Sequence, residues 1–164
     1  MKLQGSACKI GDHVNTDYIV AGKRKAFYSL KELANHILED LDPDFPKKIR
    51  QGSFIVAGKN FGCGSSREEA PLVIKYAGIN AVIAKSVARI FHRNAINIGL
   101  LVIECDTNAI DDKDQLVIDL ENKTVTNKSK HSDIVIKSIP EIVLSILNEG
   151  GLVPYIRKYG CFIT

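Results

Sequence analysis

A chain of 164 residues, 45% hydrophobic and 25% charged, is long enough to bury one sizeable core and is expected to form one domain over 1–164. Its net charge of +3 comes from interspersed acids and bases with only short cationic clusters, Lys23-Arg24-Lys25 and Lys47-Lys48, so no nucleic-acid partner is implied. No stretch reaches the roughly 20 apolar residues of a membrane span, and the start lacks a basic-then-apolar signal, so a cytoplasmic place without membrane contact is expected.

In chain order, Leu3 to Ile10 reads as a strand, Gly11-Asp12 as a turn, and Val14 to Val20 as a short segment entering a loop. Asp12, Asn15, Thr16 and Asp17 crowd together there. Two readings stay open: an Asx-type turn that caps its own backbone, or a carboxylate held near a functional site as orienter or acid/base partner. Residues 21 to 28 have no period and read as an exposed loop. Ser29 is expected to cap a helix carrying Leu30, Leu33, Ala34, Ile37, Leu38 and Leu41 at helical spacing, ended by Pro43 and Pro46. His36 on that helix is expected to serve packing or surface.

Ser53 to Ala57 reads as a buried strand, Leu72 to Ala77 as a helix stopped by Gly78, and Asn80 to Ala84 as a second strand. A helix from Ser86, its expected cap, to Gly99 and a strand Leu100 to Glu104 follow. This alternation predicts parallel β-α-β units, whose ligands collect at the carboxyl ends of the strands. Beyond 106, runs at Gln115 to Leu120, Lys123 to Asn127 and Asp133 to Ile136 predict an antiparallel meander. A helix Glu141 to Asn148, a Gly150-Gly151 break and a tail Leu152 to Lys158 complete the pattern. Cys8, Cys63, Cys105 and Cys161 are far apart with no C-x-x-C pair, which argues against a zinc or iron–sulfur site made by this chain alone and for buried free thiols.

The organising stretch is Gly58-Lys59-Asn60-Phe61-Gly62-Cys63-Gly64-Ser65-Ser66-Arg67-Glu68-Glu69-Ala70-Pro71, a strand-to-helix turn. Its glycines let the backbone take positive φ and approach a ligand closely, Gly64 among them. Ser65 with Glu68, or Ser66 with Glu69, has capping-box spacing, which would aim a helix N-terminus at the turn. Arg67 in the first helical turn opposes the dipole and so suits an anion outside the helix. A Gly-rich cap that binds nothing has the same pattern. The joint presence of two hydroxyls, an arginine and backbone donors fits a carboxylate or phosphate. Neither a P-loop nor a complete G-x-G-x-x-G is present.

Gly62 to Glu68, together with Ala84-Lys85-Ser86-Val87-Ala88-Arg89-Ile90-Phe91 and Arg93 to Leu100, closely resembles the small subunits of 3-isopropylmalate dehydratase and homoaconitase, equivalent to the swivelling domain of aconitase. The likeness takes in Gly11 to Asp17, Pro43 to Lys48 and Gly150 to Tyr155. It implies an α/β swivelling-domain-like β/β/α barrel, with a parallel β-α-β core plus an antiparallel β region. It also implies a hydro-lyase of leucine biosynthesis, completed by a large subunit that carries a [4Fe–4S] cluster. No cofactor or metal is expected on this chain itself. By the same resemblance, Ser65 is the base that removes the α-proton, Arg67 grips a carboxylate of a 2-hydroxy di- or tricarboxylate, Ser66 hydrogen-bonds it or supports the turn, and Asp17 is a further active-site residue. Asn15, Ala21 and Glu69 depart from the usual family residues.

Substrate choice is expected at Arg24-Lys25-Ala26-Phe27, where the likeness is weakest. Cations turned inward would call for a further carboxylate; cations turned outward would leave Ala26 and Phe27 to line an apolar pocket for a branched alkyl group. The outward case is expected, and with it 3-isopropylmalate over homoaconitase-, citrate-, citramalate- or dimethylmalate-type substrates. A stand-alone anion-binding module and a purely structural subunit are the non-enzymatic alternatives.

Overall fold

The structure is a computed structural model and describes residues 1–20 and 28–162. Strand β1 (Lys2–Lys9) is followed by three short helices, α1 (Thr16–Ile19), α2 (Leu30–Ala34) and α3 (Phe45–Lys48). Then β2 (Phe54–Ala57), α4 (Glu69–Tyr76), β3 (Ala81–Ala84), α5 (Arg89–Asn97) and β4 (Leu101–Glu104) alternate as the spacing predicts. The meander is β5 (Gln115–Asp119), β6 (Thr124–Asn127) and β7 (Ser132–Val135), followed by α6 (Glu141–Asn148) and α7 (Leu152–Tyr159).

All seven strands form one sheet in the order β4-β3-β2-β1-β5-β6-β7. β1 divides its length between two kinds of pairing. Its second half, Ala7 to Lys9, runs parallel to Phe54 to Val56, while Lys2 to Ser6 run antiparallel to Asp119 to Gln115. The far ends of the sheet meet again: Cys105 bridges Ile136, and the Lys137 N–H donates to the Glu104 carbonyl at 2.9 Å. The sheet therefore curls into a half-barrel.

β2 and β3 are buried at every position, as expected of parallel strands covered on both faces. Their alternate residues feed two cores. Ile55, Ala57, Val82 and Ala84 face the helices with Ile19, Leu33, Ile37, Val73, Ile74 and Phe91. Phe54, Val56, Ala81 and Ile83 face the inside of the curl with Ile103, Leu116, Ile118 and Val125. Each such large apolar side chain taken from water contributes about 1.5–3 kcal/mol.

Four local expectations are corrected. The helix begun at Ser29, whose capping box with Glu32 is complete, stops at Ala34 instead of Leu41. Leu38 takes φ +56°, outside the right-handed helical region, so the helix cannot continue through it although Ile37 and Leu38 are both fully buried. Ser86 does not cap α5, which starts after Ala88; its Oγ accepts the Asn60 N–H at 2.9 Å. The segment at Asn15 to Val20 contains a helical turn, α1. The tail after Gly150-Gly151 is helix α7, with Tyr155 buried. Pro154 is harmless there because a first-turn N–H has no helical acceptor.

Candidate active site

The Gly58 to Glu68 turn leaves the carboxyl end of β2, as the parallel order requires of a ligand site. Three neighbouring segments fix it. From β3's loop, the Phe61 N–H donates to Ser86 O and the Ala88 N–H to Phe61 O, at 3.0 and 2.8 Å. From the β1–α1 loop, Val14 O accepts the Gly62 N–H and Cys63 O accepts the Thr16 N–H, both at 2.8 Å. From α5, Phe91 packs edge-on against Phe61, ring centroids 5.1 Å apart.

Gly62 and Gly64 have φ of +73° and +93°. Packing within the fold already excludes a side chain at both positions. A Cβ on Gly62 would lie 2.3 Å from the Phe91 ring, and one on Gly64 would lie 2.5 Å from Asn15 Oδ1. The glycines let the turn nest between α5 and the α1 cap, so their first task is packing.

Ser65 and Ser66 are exposed, and neither hydroxyl bonds to any described residue. The capping-box expectation is thereby corrected: α4 begins at Glu69, and its N-cap Glu68 is helical with no side-chain bond. The serines stand three and two residues ahead of that cap. No described acceptor engages the backbone N–H groups of Gly64, Ser65 and Ser66. The turn thus presents two hydroxyls and a set of backbone donors outward, an arrangement suited to anionic oxygen.

Arg67 is folded inward. Its Nη2 lies 2.8 Å from Asp17 Oδ1, with the arginine side chain 28% and the aspartate side chain 53% exposed. Its Nε is buried and has no partner among the described residues. Asp17 is placed by α1, where Asn15 Oδ1 accepts the Asp17 N–H at 2.8 Å as the helix cap. In the Asp12 to Asp17 cluster Asn15 makes the Asx cap of the first reading, and the Asp17 carboxylate lies beside the turn, paired with Arg67. Asp12 belongs to the scaffold, its Oδ1 accepting the Lys59 N–H at 2.6 Å. Sequence reasoning left Thr16 without a role, yet its buried hydroxyl donates to Ser65 O at 3.0 Å. Its place beside Asp17 was the available signal.

Arg24, Lys25, Ala26 and Phe27 lie outside the described residues. Arg89, Ile90 and Arg93 on α5 are exposed, and no described acid pairs with either arginine. The thiols are on separate elements: Cys8 in β1 and Cys105 after β4 are buried, Cys63 is half-buried, and Cys161 beyond α7 is exposed, against the expectation of burial throughout. Burial pushes the Cys8 thiol up and the Cys105 thiol up to about 11, so both hold their protons and are poor metal ligands. Among the described residues no three His, Cys, Asp or Glu converge, so this donor set does not fit an iron–sulfur cluster. No helix of the described residues is long and apolar enough to cross a membrane.

Residues 19–108 match the family described as the aconitase C-terminal domain. The chain belongs to the aconitase C-terminal domain family. The 3-isopropylmalate dehydratase small subunit 2 of Archaeoglobus fulgidus is 56% identical, the alignment covering 98% of each chain. The methanogen homoaconitase small subunit of Methanothermobacter thermautotrophicus is 47% identical, over 95% of this chain and 91% of that one. The crystal structure of 3-isopropylmalate dehydratase from Methanocaldococcus jannaschii superposes with a TM-score of 0.93 at 47% identity, covering 98% of this chain and 96% of that one. The aconitase-family swivelling fold is thus that of this half-barrel.

Proposed function

We propose that this chain is the small subunit of a 3-isopropylmalate dehydratase, a cytoplasmic hydro-lyase of leucine biosynthesis in which it acts as one swivelling domain against a large subunit. The observation that carries the reading is the outward-facing Ser65 hydroxyl on a turn whose neighbouring arginine is held by Asp17. Water leaves a 2-hydroxy diacid and returns with the hydroxyl on the adjacent carbon. Ser65, as the alkoxide, takes the proton from the carbon α to a carboxylate, and the C–H electron pair becomes the new double bond as hydroxide departs. Donors at Gly64, Ser65 and Ser66 lower the cost of the alkoxide once the site is closed to water. Arg67 binds a substrate carboxylate through its fork of N–H groups, Ser66 adds a hydroxyl, and Asp17 holds the guanidinium in place.

The thiols of this chain do not suit a cluster, so the [4Fe–4S] group is assigned to the large subunit. Stoichiometric iron and sulfide recovered from the isolated chain would overturn that assignment. The test of the function is co-expression with the large subunit and an anaerobic assay over 2-hydroxy di- and tricarboxylates. The expected result is activity only in the complex, with kcat/KM for 3-isopropylmalate above that for homocitrate or citrate.

The homoaconitase reading stays the second one, because a relative of that name is as similar as several dehydratase subunits. It requires Arg24 or Lys25 to meet a third carboxylate. Preference for a tricarboxylate that collapses in Arg24→Ala or Lys25→Ala would establish it; an unchanged ratio in Arg24→Ala favours the isopropyl substrate and Ala26-Phe27 as its apolar lining.

A further inference from the structure

Thr16 is only 1% exposed, so it cannot touch a substrate. Its N–H and its hydroxyl nonetheless both donate to the functional turn, while its carbonyl accepts the Val20 N–H at the end of α1. Its N–H donates to Cys63 O at 2.8 Å and its Oγ1 donates to Ser65 O at 3.0 Å. The other acceptor near that hydroxyl, Asn15 Oδ1 at 3.5 Å, is too distant to compete. The Ser65 carbonyl also accepts the Arg67 N–H, at 2.8 Å. One oxygen therefore receives two donors, one from the residue that grips the carboxylate and one from α1. The residue following Thr16 is Asp17, whose carboxylate holds the Arg67 guanidinium from the other side. Thr16 and Asp17 thus bracket Ser65 and Arg67, one by the backbone and one by the side chain.

The geometry points to Thr16 as a positioning residue, whose hydroxyl sets the orientation of the Ser65 peptide and hence of the Ser65 Oγ relative to Arg67; this rests on the reading of Ser65 as the base. The turn needs such a device because it is otherwise loosely held at this point. Ser65 and Ser66 are exposed, their N–H groups and hydroxyls bond to no described residue, and two positive-φ glycines precede them. A carbonyl with both lone pairs engaged cannot rotate without breaking two bonds, one of them buried. The hydroxyl's role is geometric, since a misplacement of about 1 Å at a reacting group costs about 10²-fold in rate.

The experiment compares Thr16→Val, which keeps the shape and loses the donor, with Thr16→Ser, which keeps the donor and loses the methyl, in the assembled enzyme and in the Ser65→Ala background. Thr16→Val is expected to lower kcat about tenfold at nearly unchanged KM, consistent with partial misplacement, and Thr16→Ser to restore most of it. In the Ser65→Ala enzyme, Thr16→Val should cost nothing further. A second reading, free of activity, is the carbonyl carbon resonance of Ser65 in the labelled full-length subunit, which should move in Thr16→Val and return in Thr16→Ser.

Wild-type kcat in Thr16→Val, equal loss in Thr16→Ser, an undiminished loss in the Ser65→Ala background, or an unmoved Ser65 resonance each overturns the positioning role. Ser65→Ala alone turning over at the wild-type rate would instead overturn the base assignment. The resonance would then still decide whether the clamp exists.

Discussion

The two halves of the curled sheet treat their polar groups in opposite ways. In the antiparallel half, turns consume what they carry. Asp119 accepts the N–H groups of Glu121 and Asn122 and the Asn122 amide, and pairs with Lys2 at 3.1 Å. Burial pushes the Asp119 carboxyl up, but the bonds from Lys2 and Asn122 outweigh it and hold it at about 2. Asn127, fully buried, accepts two N–H groups at the next turn and donates to Asp114 at 2.6 Å. Ser132 Oγ, buried without a described partner, is an exception. In the parallel half, the turn after β2 leaves the Ser65 and Ser66 hydroxyls and the Arg67 Nε without a partner among the described residues, while Phe61, Gly62 and Cys63 are tied to the neighbouring segments. Polar groups that a fold could have satisfied and did not are where outside chemistry is to be sought.

The contrast is tested most severely at Ser65. Ser65→Ala in the complex is expected to lower kcat by roughly 10²-fold to 10⁴-fold, the worth of a positioned proton-transfer group, with assembly and melting temperature unchanged. A wild-type rate would mean that the unengaged hydroxyl is idle. The mirror experiment is Asn127→Ala. It leaves the buried Asp114 carboxylate short of a donor and two turn N–H groups without their acceptor, at a cost of about 2–3 kcal/mol in denaturant unfolding. Activity per folded complex should hold, and a fall in kcat comparable to that of Ser65→Ala would dissolve the division between the halves.

Arg67 sharpens the boundary within the parallel half. Arg67→Lys keeps a charge near Asp17 but offers no fork to a carboxylate. The expectation is a KM raised about tenfold with a smaller change in kcat, read from steady-state kinetics. Equal falls in kcat and kcat/KM would instead place the arginine's contribution in the transition state.

Much of this was legible in the chain itself. The β-α-β rhythm followed from apolar runs of strand length separated by helical spacing, and the meander from alternation between Asp/Asn/Lys turns, because burial on two faces or one leaves different patterns. The serine turn was legible by composition. What stayed hidden depended on contacts between distant segments. Periodicity extended α2 to Leu41 because Ile37 and Leu38 are buried whether or not the backbone is helical. The Ser-x-x-Glu spacing suggested caps, whereas the hydroxyls of Ser65 and Ser86 go outward and to Asn60, a choice made by neighbouring strands. Gly150-Gly151 read as a break, although it lets α7 start against the end of α5: a Cβ on Gly151 would lie 2.5 Å from Asn97 O. Thr16 could not be connected to Ser65 from the sequence, since 49 residues separate them.

The smallest effect expected concerns the seam where the halves meet again. His92 on α5 lines an apolar cavity of about 130 Å³ with Ile96, Val102 and Leu147, beside the Glu104–Lys137 ion pair. Burial lowers the His92 pKa below 6.5, and the Glu104 charge opposes this without cancelling it. A base with a depressed folded-state pKa binds fewer protons folded than unfolded, so stability falls as pH drops through 6.5 and levels off below the folded value. Glu104 shifts the other way from its own reference: burial raises it, but bonds from Lys137 and the Val87 N–H lower it overall, so its contribution persists above 4.5 and is lost at more acid pH. The two windows are separate. Between pH 7.5 and 5.5 the melting temperature of the full-length subunit should decline, and His92→Phe, which fills the same apolar space without a titrating ring, should flatten that decline while leaving the loss below pH 4.5 in place. An undiminished slope in His92→Phe would remove His92 as its source and assign the seam's pH response to other groups.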